Sequence, residues 1–159
     1  MNLTGIDRDL LLDFVCTLSR FEYALKRASF VIDYRGHAKP DWDRLGNVLG
    51  ALGRDQVMQA LSACPNLLAE PPKQQIVRNG QLAWNEAVDR SISEVEQALR
   101  YVRRVRNNLF HGGKYPDPDG PVSDAARNTG LLRESLVVLK AVLDLPGCEA
   151  VKTEFYGNC

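Results

Sequence analysis

Apolar residues recur at helical spacing through most of this chain, and that recurrence limits its fold more than any other property. Leu10, Phe14, Leu18, Phe21 and Leu25 lie on one face of a helix over about Ile6 to Phe30, because residues three and four apart stack on one side of a helix. Glu22 projects about 40° from Leu18, so one carboxylate stands at the inward margin of that stripe. Val95, Leu99 and Val102 mark a second stripe, with Leu109 and Phe110 beyond it. Turning about 100° per residue from Leu99 puts Arg106 within roughly 20° of this stripe's centre. A guanidinium stays charged at any working pH, so an inward arginine needs a partner, a wet groove or an anionic ligand.

Gly36 and Pro40 close the first helix, and Asp41 can cap a second one on which Trp42, Leu45, Leu49 and Leu52 form an apolar face. Gly46, Gly50 and Gly53 each weaken that helix by about 1 kcal/mol and let another helix approach closely. A short helix from Arg54 to Ala63 stops at Cys64-Pro65, and Pro65 to Gly80 reads as an exposed connection. From Leu82, residues Trp84, Val88, Ile92, Val95, Leu99 and Val102 continue one long helical series, with Trp42 and Trp84 both in core phase. Ser93 and Glu96 have the spacing of a capping box, so a break near Ser91 is the alternative, and the sequence leaves both open. Tyr115 to Pro121 is a loop by composition, and a last helix covers about Ser123 to Leu143 through Leu132, Leu136, Leu139 and Leu143. No strand pattern of useful length is evident. The expectation is an all-α bundle of about four to five helices, one domain over residues 1–143 followed by an irregular tail over 144–159.

Length and charge agree with one soluble domain. The 159 residues suffice for a real core, and 20 basic residues balance 20 acidic ones. Locally the balance fails: Arg100, Arg103, Arg104, Arg106 and Lys114 share a stretch that holds no Asp or Glu. Cys16, Cys64, Cys148 and Cys159 form no CxxC pair, which argues against a zinc ribbon or redox motif. The opening residues lack the order of a signal peptide and no run is apolar enough to cross a membrane, so a cytoplasmic location is expected. With no HExxH or comparable cluster, neither a metal nor a cofactor is called for.

The stretch Arg106-Asn107-Asn108-Leu109-Phe110-His111-Gly112-Gly113 concentrates the chemistry. Arginine can hold two phosphate oxygens with its planar fork, and an imidazole can take or give a proton near neutrality. Five positions apart on an unbroken helix, Arg106 and His111 point about 140° away from each other. Either the last turn is irregular at Gly112-Gly113, or dimerisation brings two copies together.

This segment resembles the HEPN family, helical proteins whose ribonuclease members carry an arginine, a polar residue and, a few residues later, a histidine. Here those positions are Arg106, Asn107 and His111, and the similarity covers about Val102 to Lys114. The resemblance implies a helical homodimer that cleaves single-stranded RNA without a metal, by attack of the 2′-hydroxyl. It also implies a toxin, phage-defence or RNA-processing role, with an antitoxin or other protein as a possible partner. Under this reading Arg106, Asn107 and His111 are catalytic, Arg103, Lys114 and Tyr115 contact RNA, and Glu22 supports Arg106. Three plainer readings stand beside it. Glu22 and Arg106 could form a structural ion pair, His111 could simply end a helix, and Arg100, Arg103 and Arg104 could be a solvated face. A non-catalytic member of the fold that binds a nucleotide, RNA or protein is the alternative function. His37, the other histidine, carries little weight because it sits in a distant basic turn.

Overall fold

Asp7 begins the first helix: its carboxylate accepts the Leu10 N–H at 2.9 Å, satisfying one of the free amides at the N-terminus. In the computed structural model, which describes residues 6–52, 54–86, 90–111 and 124–157, α1 then runs Arg8–Arg27 and buries Phe14, Leu18, Phe21, Ala24 and Leu25. It is followed by β1 (Val31–Tyr34), β2 (His37–Pro40), α2 (Trp42–Gly50), α3 (Arg54–Leu61), α4 (Pro65–Ala69), β3 (Gln74–Arg78), β4 (Gln81–Asn85), α5 (Glu94–Phe110), α6 (Ala125–Leu143) and α7 (Glu149–Tyr156). One core runs through all the layers: α6 and α7 lie against α1, α2 lies against α5, and α5 lies against α6. Among the described residues no helix is long and apolar enough to cross a membrane.

The all-α expectation is overturned by two antiparallel β-hairpins. Both turn on a pair of residues with positive φ, Arg35 (54°) with Gly36 (81°) and Asn79 (53°) with Gly80 (77°). That pairing matches the twist of hairpin strands. The strands are four or five residues long and largely solvent-facing, so no apolar alternation announces them. Leu82 and Trp84 therefore belong to β4 rather than to a long helix, and Trp84 is half-buried outside the core, whereas Trp42 stacks on Phe21 at 5.4 Å. The chain does break before α5. Ser93 Oγ accepts the Glu96 N–H at 3.3 Å while Glu96 accepts the Ser93 N–H at 2.8 Å, a complete capping box.

Two further expectations need correction. The connection over residues 65–80 contains α4 and β3. The irregular tail contains α7, which buries Val151 and Phe155; Phe155 meets Phe21 edge-on at 6.4 Å, and its carbonyl accepts from the Arg20 guanidinium.

Glu134 fixes the short α4 from across the core. Only 7% exposed on α6, it accepts the Leu67 N–H at 2.6 Å, the Asn66 N–H at 3.2 Å and the Asn66 side-chain amide at 2.8 Å. An anion aimed at a helix N-terminus satisfies amides that have no partner in the helix. Replacement Glu134→Ala strands those donors and is expected to lower unfolding free energy by about 2–3 kcal/mol. Glu134→Gln, which keeps an acceptor oxygen, should cost less. Urea denaturation checks both, and a neutral Glu134→Ala would contradict this role.

Candidate functional site

In the C-terminal half of α5, Arg103, Arg106 and Asn107 stand along one flank of a buried stripe. Val95, Ala98, Leu99, Val102 and Val105 are buried, and Arg106 stands half-buried beside them. That flank forms one wall of a cleft of about 270 Å³. Arg103, Arg106 and Asn107 come from α5, Glu22 from α1, Lys39 from β2 and Trp42 from α2. Leu18 and Pro40 add apolar surface. Apolar walls with a few convergent polar groups are the usual construction of a ligand site.

Within the cleft the arginine is held by its sequence neighbour. Arg106 Nη1 donates to Asn107 Oδ1 at 3.0 Å, and its guanidinium lies 5.8 Å from the centre of the Phe110 ring. Glu22 lines the same cleft, yet no ion pair joins it to Arg106. Arg103 lines the cleft and is paired at its rim with Asp43, Nη1 standing 3.3 Å from Oδ1 in an exposed pair. Lys39 places its ammonium 3.5 Å from the centre of the Tyr34 ring. Among the described residues, three cations and one carboxylate line the cleft, with Asp43 partly balancing Arg103 from outside.

His111 stands apart from this group. The helical hydrogen bonding of α5 continues through it, since the His111 N–H donates to the Asn107 carbonyl at 2.8 Å, and its side chain is exposed and not part of the cleft lining. Up to His111, where the described part of the motif ends, the chain does not carry the imidazole into the cleft that holds Arg106. Lys114 and Tyr115 lie outside the described residues. Asn108 is buried and donates to the Lys73 carbonyl at 2.8 Å, fastening α5 to the entry of β3. Arg104 is half-buried 5.3 Å from the Tyr101 ring centre, and burial holds its guanidinium below the usual arginine range. Of the basic residues ahead of the motif, Arg103 is the one that reaches this cleft.

Lys39 and Trp42 escaped sequence reasoning as site residues. Their only signal is the order Lys39-Pro40-Asp41-Trp42, in which a proline and a helix cap bring the end of a strand against the start of α2. The two buried thiols, Cys64 and Cys148, are not poised as nucleophiles. Burial pushes Cys64 up to about 11, helped by Glu134, and Cys148 up to about 12, helped by Glu149, so both stay protonated near neutrality. Among the described residues no group of three His, Cys, Asp or Glu is placed to hold a metal ion. Comparison with protein-family models, with curated proteins and with solved structures finds no match to this chain.

The geometry separates a structural from a ligand-directed arginine. With a neutral partner and a half-exposed side chain, Arg106→Ala should change unfolding free energy by less than about 1 kcal/mol, and Glu22→Ala likewise. Chemical denaturation of both variants and the double variant checks this. A large loss in each, with strong coupling between them, would mark a structural pair instead.

Proposed function

We propose that this protein is a metal-independent endoribonuclease of HEPN type that acts on single-stranded RNA as a homodimer. The observation that carries the reading is Arg106, half-buried on a cleft wall and held by Asn107 rather than by a carboxylate. Its positive charge is left for a ligand, and a guanidinium fork suits two oxygens of one phosphate.

In the reaction, the 2′-oxygen of RNA bonds to the adjacent phosphorus and the bond from phosphorus to the 5′-oxygen breaks. A base takes the 2′-hydroxyl proton and an acid delivers one to the departing 5′-oxygen. Arg106 is suited to the charge that gathers on the phosphate, and Asn107 keeps the guanidinium turned into the cleft. His111 is the proton carrier of the motif. Because its side chain lies outside the cleft of its own chain, the reading assigns it to the cleft of the partner protomer across a two-fold axis. As a toxin or defence effector, such an enzyme calls for a partner protein that covers the cleft.

A second reading is favoured by the same placement of His111: a non-catalytic module that binds RNA through the cleft alone. One assay decides between them. In EDTA the native protein is expected to cut single-stranded RNA, and Arg106→Ala and His111→Ala to lose at least about 100-fold in rate. RNA binding without cleavage by the native protein would favour the module, and equal cleavage by all three proteins would remove both residues from the mechanism.

A further inference from the structure

The β1–β2 hairpin extends the cleft. Its register pairs Ile32 with Lys39 and Tyr34 with His37, and paired residues point to one side of a two-stranded ribbon. Ile32, Tyr34, His37 and Lys39 therefore share a face, while Val31, Asp33, Ala38 and Pro40 occupy the other. Lys39 on this face and Pro40 at the end of the other both line the cleft, so the open end of the hairpin meets the cleft wall, and Lys39 is the cation it brings there beside Arg103 and Arg106. Every residue from Val31 to Lys39 is exposed, including Ile32 at 45% and Tyr34 at 50%.

The charges on and around this face are one-sided. Arg35 at the turn lies 5.6 Å from the Tyr34 ring centre, and Lys39 lies 3.5 Å from it on the cleft side of the strand. Of the nearby acids, Asp33 belongs to the opposite face and accepts the Gly36 N–H at 2.7 Å, Asp41 caps α2 by accepting the Arg44 N–H at 3.0 Å, Asp43 is engaged by Arg103, and Glu22 lies inside the cleft. An exposed ring flanked by cations that lead into a basic cleft is how proteins hold single-stranded nucleic acid, with bases stacked on aromatics and phosphates met by Lys and Arg.

Resting on the ribonuclease reading, we infer that the Ile32, Tyr34, His37 and Lys39 face of the hairpin binds the single-stranded RNA that flanks the phosphate held at Arg106. A base of the flanking nucleotide stacks on Tyr34 in place of the Arg35 guanidinium, the more distant of the two cations over that ring. The same ring holds Lys39 at the mouth of the cleft, where the ammonium meets the next phosphate. About 7 Å of strand separates the Tyr34 and Lys39 rungs, so the stacked base belongs to a neighbour of the cleaved linkage. Specificity at that position follows from ring stacking and not from the motif.

The test measures anisotropy of a labelled 2′-O-methyl oligouridylate of about twelve nucleotides, which offers no 2′-hydroxyl for cleavage, against the full-length protein over a series of salt concentrations. Tyr34→Leu is expected to weaken binding about tenfold, Tyr34→Phe to stay within about twofold of native, and Lys39→Gln to lower the salt slope by about 0.7. Binding that ignores all three substitutions would overturn the hairpin assignment and leave the ribonuclease reading standing. Hairpin-dependent binding by a native protein that never cleaves unmodified RNA would do the reverse. Binding of polyglutamate but not of the oligonucleotide would overturn the assignment in favour of an acidic protein partner.

Discussion

The close approach of α2 and α5 sets the geometry on which the rest depends. A Cβ at Gly46 would stand 2.8 Å from Glu96 Cγ, and one at Gly50 would stand 2.8 Å from Ser93 Oγ. Neither neighbour can simply swing aside. The Glu96 carboxylate also accepts the Ser93 hydroxyl at 2.7 Å within the capping box. The glycines thus cost helix propensity in α2 and in return seat the first turn of α5. The two helices run antiparallel from there, through Gly50 against Ser93 and Gly46 against Glu96, to the exposed pair of Asp43 with Arg103. With Trp42 stacked on Phe21, the far end of that seam is also fixed to α1. Arg106 and Asn107 consequently arrive opposite Glu22 and Lys39.

That placement gives the arginine its character. A guanidinium buried on the stripe would demand a carboxylate and lose much of its charge to it. Half-buried on the flank and held by an amide oxygen, Arg106 meets no neutralising carboxylate, while apolar Leu18 and Trp42 lower the polarity of the space it faces. The hairpin then brings Lys39 from another part of the chain to the same opening, so the basic character of the cleft is assembled from elements distant in sequence. A net charge of zero overall conceals this asymmetry.

The helical parts were largely legible because burial leaves a period in the sequence. Phe14, Leu18, Phe21 and Leu25, and Leu132, Leu136, Leu139 and Leu143, are buried as their spacing requires. The break before α5 was legible as one of two alternatives, through Ser93 and Glu96. The hairpins were not, since exposed strands need no alternation; Asn79-Gly80 was the available turn signal, and a helical period over Leu82 to Val102 obscured it. Helix α7 was missed because eight residues with two buried side chains produce too short a pattern. At the site, the phase counted from Leu99 and Val102 pointed Arg106 at the centre of the stripe, whereas it stands half-buried on the flank, and the contribution of Lys39 and Trp42 depends on tertiary contacts that leave no local trace. Glu22 came to the same cleft without the ion pair that its phase suggested.

The claim that two chains complete one site is tested most directly by mixing Arg106→Ala and His111→Ala proteins, each inactive alone, under conditions that exchange protomers. If Arg106 of one chain works with the histidine of the other, each mixed dimer retains one intact site, and random reassortment should restore cleavage to about a quarter of the native rate. A mixture that exchanges protomers yet remains silent, while the native protein cleaves, would contradict the shared site.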